Sequence, residues 1–208
     1  MKVLGVDTTR KSAVIYIYDS ESDKRYSLRM NENVKHSEGL FLYIEKALFD
    51  CKLKISDFDA FCGVVGPGSF TGIRVGMSVL KGFNIVEDKK LCPLTTFEIL
   101  ATKYKKGLIL LNSTSTSCYY AKIKSHKILE TGVVLKSEII NLVGDEPIII
   151  LKEEQNAISI EYNNIEVESD IENLFFDCLV SKLESDDWGE FLPYYLQLSQ
   201  AERNKVGE

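Results

Sequence analysis

Residues 59–76, Asp-Ala-Phe-Cys-Gly-Val-Val-Gly-Pro-Gly-Ser-Phe-Thr-Gly-Ile-Arg-Val-Gly, constrain the fold more than any other stretch of the chain. Residues 60–65 are a nearly continuous apolar run, the pattern of a strand buried on both faces. Gly66, Pro67 and Gly68 break the run, and Ser69 or Thr71 is placed to cap a helix over 71–84. A strand, glycine turn and helix N-terminus gather unpaired N–H groups and the positive end of a helix dipole, so the turn can receive a phosphate or carboxylate. Gly66, Gly68 and Ser69 are therefore candidate cofactor-binding residues.

Spacing limits which phosphate site this can be. A Walker A loop ends in Lys-Ser/Thr after its second glycine, whereas Arg74 is the nearest cation here. Gly66 and Gly68 match the first two glycines of a dinucleotide fingerprint, but Thr71 occupies the place of the third. Gly72 and Gly76 lie four apart and so share one face of the helix. Glycine inside a helix costs about 1 kcal/mol relative to alanine. Two on one stripe imply close backbone contact, either with a partner helix or with this chain's own sheet.

Three strands, at 2–6, 13–18 and 25–30, precede an amphipathic helix from His36 to residue 51 with Leu40, Phe41, Ile44, Leu48 and Phe49 at helical spacing. The strand at 60–65 and the helix over 71–84 follow. Runs at 108–111, 119–123 and 128–134 repeat the three-strand opening, and a helix over 170–184 carries Ile171, Leu174, Phe175, Leu179, Val180 and Leu183. The lobe boundary falls near 104–107, giving a first lobe of 1–104 and a reduced second lobe of 105–208.

The segment 66–76 resembles the signature of the TsaB family, also called YeaZ, bacterial subunits of the machinery that makes N6-threonylcarbamoyladenosine on tRNA. The opening at 1–9, His36-Ser37-Glu38, Pro93-Leu94-Thr95 with Phe97-Glu98, Pro193 to Gln197 and Ala201-Glu202 fall in the family's order. The resemblance covers most of the first half and the extreme C-terminus, and is thin between 105 and 190. It implies an α/β fold of the actin, Hsp70 and sugar-kinase type, related to ribonuclease H, with two lobes and a final segment at 193–204 returning to the first.

In that architecture Asp7 stands at the first nucleotide turn, where it could orient a metal-bound water or a substrate hydroxyl, or simply cap the turn. The matching turn of the second half is Asn112-Ser113-Thr114-Ser115, without an acid or a glycine, where family members often carry Asp-Ala-Arg. The catalytic paralogue TsaD holds a metal with two histidines four residues apart. Here the second has become Leu40, which makes His36 a helix-start residue or an interface contact and predicts no metal site. The resemblance implies a non-catalytic subunit that binds a TsaD-like partner, with a TsaE-like ATPase joining; an apolar helix face left without that partner predicts a homodimer when the chain is alone. His36, Leu40, Phe41, Ile44 and Leu48 of one helix, with Thr71, Gly72, Arg74, Val75, Gly76, Val79, Leu80 and Phe83 of the next, are its expected interface. ATP or ADP and a metal are expected in the partner subunits, not in this chain.

A formal charge of −6 and lysines only in small groups, at 103, 105 and 106 and at 122, 124 and 127, argue that tRNA is held chiefly by the partner. No apolar stretch approaches the roughly 18 residues of a membrane helix. Five scattered cysteines read as reduced structural thiols and the cytoplasm as the compartment. Two enzyme readings stay open as alternatives: a small ATP-dependent phosphotransferase of the same fold, and a peptidase using Ser69 or Thr71. The latter lacks the G-x-S-x-G elbow. A homodimeric scaffold outside tRNA modification is the third.

Overall fold

The computed structural model describes residues 1–185 and 188–197. Three antiparallel strands, β1 (Lys2–Asp7), β2 (Val14–Asp19) and β3 (Lys24–Arg29), open the chain, and helix α1 (His36–Cys51) follows. Then come β4 (Ala60–Gly66), α2 (Phe70–Glu87) and β5 (Lys90–Thr95). The sheet order is β3-β2-β1-β4-β5, with β4 parallel to β1 and β5 parallel to β4. β1 and β4 are the central strands, and every residue of β4 is buried, as its apolar run requires. Leu4, Val6, Ile15, Phe61, Ile73 and Leu80 belong to one core with Leu40 and Ile44 of α1.

After α3 (Thr96–Lys103) the same plan is repeated with β6 (Lys106–Asn112), β7 (Ser117–Lys124), β8 (Lys127–Leu135), the five-residue α4 (Ile139–Val143), β9 (Ile148–Leu151) and β10 (Ile165–Glu168). The order β10-β9-β6-β7-β8, read from its other edge, matches that of the first sheet, again with three antiparallel strands followed by two parallel ones. The helix α5 (Ile171–Ser185) closes the described elements. This is the α/β, actin-like arrangement expected from the sequence, reduced in its second half, where five-residue α4 stands in place of sixteen-residue α1 and a 3₁₀ turn in place of α2.

The chain divides into two compact units, one of Met1–Thr95 with Cys178–Tyr194, the other of Thr96–Asp177 together with 195–197 of the described residues. The division thus falls before α3 and not at 104/105, because α3 packs on β8 and the Ala101 carbonyl accepts a bond from His126 Nδ1 at 3.0 Å. In the first unit Phe191 enters the core, and Tyr194 N donates to the Val65 carbonyl at 2.8 Å, at the end of β4. The rest of the segment expected to return, from residue 198, lies outside the described residues. Among the described residues, no helix is long and apolar enough to cross a membrane.

Candidate functional site

β1 ends in Asp7, and both of its carboxylate oxygens are engaged by the residues that follow. Oδ1 accepts from Thr9 N at 2.9 Å and from Thr9 Oγ1 at 2.6 Å; Oδ2 accepts from Arg10 Nε at 3.2 Å and from Nη2 at 2.9 Å. Asp7, Thr9 and Arg10 are all buried. A carboxylate has about four acceptor sites, and four donors reach this one. Asp7 is therefore an Asx-turn residue with a buried ion pair, the geometry of a turn cap.

The glycine turn closes on the same strand end. Ser69 N donates to the Thr9 carbonyl at 2.7 Å, Ser69 Oγ accepts from Gly72 N at 3.1 Å as the cap of α2, and Thr8 Oγ1 donates to the Gly72 carbonyl at 2.7 Å. Gly68 and Ser69 thus stand beside Thr9, whereas Gly66 faces Tyr194 and Ile73. The N-terminus of α2 meets the Thr9 carbonyl at Ser69 N and its own Ser69 hydroxyl at Gly72 N. Thr71, the alternative cap, is exposed.

The glycine stripe faces inward. A Cβ at Gly72 would land on the Thr8 carbonyl oxygen and one at Gly76 on Thr8 Oγ1. Both glycines are buried, so the partner-helix role expected for them is replaced by close packing on the β1 turn of this chain. Leu40, Ile44, Val79 and Leu80 are likewise buried within the first core and leave the interface set. Spacing alone cannot tell an inward stripe of a helix from an outward one.

What remains outward is a different set. Phe41 is 59% exposed, and its ring meets Phe83 edge-on with centroids 6.1 Å apart; Phe83 in turn lies 5.9 Å from the core ring Phe61. Phe49 of α1, 80% exposed, and Ile85 and Val86 of α2, 86% and 80% exposed, are the further large apolar side chains open to solvent on these helices. Leu48 and Val75 are half-buried, and Arg74 lies over the Phe70 ring at 4.0 Å. Phe49 already stood at eight residues from Phe41, so the second face of α1 was present in the sequence. Ile85 and Val86 lay beyond the expected helix end at 84. His36 Nε2–H donates to the Lys11 carbonyl at 3.1 Å and so ties the start of α1 to the turn before β2.

In the second unit the Asn112–Ser115 turn is closed by its own neighbours. Asn112 N donates to Glu154 Oε2 at 3.0 Å, Ser113 N and Thr114 N donate to the Ser117 carbonyl, and Ser113 Oγ bonds Gln197 Oε1 at 3.0 Å. No group of three His, Cys, Asp or Glu side chains among the described residues is arranged to hold a metal ion. All five cysteines are free, and burial pushes the Cys118 thiol up to about 11.

Comparison with known proteins places this geometry. The family model of TsaD, tRNA N6-adenosine threonylcarbamoyltransferase, matches residues 32–145. The tRNA threonylcarbamoyladenosine biosynthesis protein TsaB of Buchnera aphidicola subsp. Schizaphis graminum is 28% identical over 152 residues, covering 69% of this chain and 71% of its own. The protein of that name from Escherichia coli K12 is 22% identical, with 68% and 65% covered. A tRNA N6-adenosine threonylcarbamoyltransferase of Persephonella marina is 25% identical over 113 residues, but only 33% of its length and 47% of this chain are covered. Among solved structures, YeaZ from Pseudomonas aeruginosa superposes with a TM-score of 0.71 at 14% identity, over 94% of this chain and 99% of that one, a likeness of fold.

Proposed function

We propose, because the chain belongs to the TsaD family of tRNA N6-adenosine threonylcarbamoyltransferases on its TsaB (YeaZ) branch, that it is the accessory and non-catalytic member of a tRNA-modifying complex. Its role in threonylcarbamoyladenosine biosynthesis is that of its family. The finer reading is that this chain supports transfer of the threonylcarbamoyl group to tRNA adenosine by binding a TsaD-like catalytic subunit, with a TsaE-like ATPase joining.

One observation carries the non-catalytic reading: the acid at the first nucleotide turn is consumed by Thr9 and Arg10. Its counterpart turn at Asn112–Ser115 carries no acid of its own, and the Glu154 carboxylate that reaches it accepts from Asn112 N. A phosphotransferase of this fold needs a free carboxylate to orient metal and nucleotide, and neither turn supplies one. The peptidase reading fares no better, since Ser69 Oγ is engaged as a helix cap. ATP or ADP and a metal then belong to the partners.

The binding face is the outward side of α1 and α2, with Phe41, Phe49, Phe83, Ile85 and Val86 as its apolar centre and His36, Thr71, Arg74 and Val75 at its margin. Apolar patches of this kind on a monomer mark interaction sites, and two helices from each subunit packing as a bundle would bury it. A second copy of the chain would cover it in the absence of the partner.

Co-expression of this chain with the TsaD-like protein of its own cell tests the proposal. The wild-type chain should capture that protein. Phe41→Asp, at a largely exposed site, should abolish capture and shift the free chain to the monomer in sedimentation while leaving its circular dichroism unchanged. Undiminished capture by a folded Phe41→Asp chain would place the interface elsewhere.

A further inference from the structure

The two lysine groups that are about 20 residues apart in sequence meet at one end of the second sheet. Lys106 of β6 stands directly opposite Lys124 of β7, and Lys124 directly opposite Lys127 of β8. Directly opposed residues of neighbouring strands project on the same face, and the strands lie about 4.8 Å apart. Three ammonium groups therefore form a row across three strands. Ser125 and His126, both with positive φ, make the two-residue turn between β7 and β8, and His126 N donates to the Lys105 carbonyl at 3.2 Å. Lys105 is thereby held beside the row.

Like charges directly opposite one another destabilise a sheet. This chain, with 31 acidic residues and a net charge of −6, has ample carboxylates to neutralise the row. It does so only in part: within the row Lys106 pairs with Glu146 at 3.1 Å, and beside it Lys103 pairs with Glu168 at 2.7 Å and Lys122 with Glu130 at 3.2 Å. Lys105, Lys124 and Lys127, all exposed, have no such carboxylate among the described residues.

We infer that this row is a contact surface for the phosphate backbone of RNA, a second point of hold on the tRNA beside the catalytic partner. The inference rests on the tRNA reading above, and charge complementarity is what selects the occupant: exposed ammonium groups on flexible stems match a line of phosphates without reading its sequence.

Fluorescence titration of the full chain with an unmodified tRNA transcript, repeated between 50 and 200 mM salt, tests it. Wild type should bind with an affinity on the order of 10⁻⁴ to 10⁻⁶ M at physiological salt. Lys105→Gln, Lys124→Gln and Lys127→Gln together should weaken binding at least about tenfold at low salt and lower the salt slope by roughly 2, the share of three phosphate contacts. The same charge change at Lys35, Lys54 and Lys81, exposed on the first unit, should leave the slope within error. Equal losses in the two variants, wild-type binding by the row variant, or binding to phosphatidylserine vesicles in place of tRNA would each overturn the inference. Complementation of a cell lacking its own copy separates this from failure of the functional reading. A wild-type chain that leaves threonylcarbamoyladenosine absent sinks that reading, whereas a row variant that binds tRNA normally sinks this inference even where the modification is restored.

Discussion

Thr8 constrains α2 twice, through its backbone carbonyl against Gly72 and through its hydroxyl against Gly76. The two constraints respond differently to mutation. Gly76→Ala sets a methyl on Thr8 Oγ1 and disturbs the 2.7 Å bond to the Gly72 carbonyl; overpacking of this kind costs about 1–3 kcal/mol. In a Thr8→Ala background the obstructing oxygen is gone, so Gly76→Ala should there cost much less. Gly72→Ala meets a backbone oxygen that no substitution at position 8 removes, and its cost should be the same in both backgrounds. Urea denaturation of the two double-mutant cycles measures this: coupling for Gly76 and none for Gly72 is expected, and equal coupling would refute the assignment of separate contacts. The spacing of the glycines was legible in the sequence, and so was their need for close contact. Their neighbour was not, because it lies 64 residues from Gly72 in sequence, on a turn that the pairing of β1 with β4 brings near. Asp7 was legible as a turn residue for the opposite reason, since its partners Thr9 and Arg10 are local.

At the level of elements, α2 shows why helical spacing identified a helix and misplaced its face. Its inner side is fixed by Gly72, Ile73, Gly76, Met77 and Leu80, and its outer side runs to Ile85 and Val86 past Gly82, whose Cβ position is open. Gly82→Ala should stabilise the isolated chain by about 0.5–1 kcal/mol in denaturant titration. If the outer side packs closely on a partner helix, the same change should weaken capture of that partner; a gain in both would move the interface off this face. β5, β9 and β10 were not read from the sequence. β5 contains Pro93, which a parallel edge strand tolerates, and β9 is the unpunctuated run of residues 148–151, where periodicity cannot separate strand from buried helix. β10 is short and alternates with glutamates, the last of which has a distinct role. Glu168 is buried and accepts from Lys103 Nζ at 2.7 Å, Tyr104 Oη at 2.9 Å and Asp170 N at 2.7 Å, tying β10 to the end of α3. Burial raises its carboxyl pKa, but the bonds from Lys103, Asp170 N and Tyr104 outweigh it and the net direction is down. A carboxyl lowered on folding contributes stability above its unfolded pKa and loses it as pH falls through the folded value. Glu168→Gln should therefore cost about 1–3 kcal/mol at pH 7. Its curve of stability against pH should approach wild type below the ordinary glutamate range, near pH 4. A difference that stays constant down to pH 2.5 would show that the charge is not what ties the strand.

For the molecule as a whole, two units of the same strand order set the expectation of a nucleotide-using enzyme, and the side chains at the two equivalent turns oppose it. The fold follows from patterns that the sequence carries openly: three strands, an amphipathic helix, a buried strand, a glycine turn. Function is less openly carried: the reading proposed above turns on whether a single acid at the end of β1 is free or occupied, and its partner is an arginine three residues later. The test is correspondingly simple. Purified chain with millimolar Mg-ATP should release phosphate no faster than a buffer blank, far below the 1 per second at the low end of ordinary enzymes. Arg10→Ala frees Oδ2 of Asp7 and leaves a buried carboxylate without its cation, so it should destabilise the chain by about 3–5 kcal/mol. If Asp7 were a nucleotide-site acid held back by Arg10, the same variant, kept folded at low temperature, would gain turnover. Loss of stability without any gain in phosphate release is the outcome that matches a turn retained for architecture. Turnover near 1 per second in the wild type that disappears in Asp7→Ala would restore the enzyme reading and overturn the accessory role proposed above.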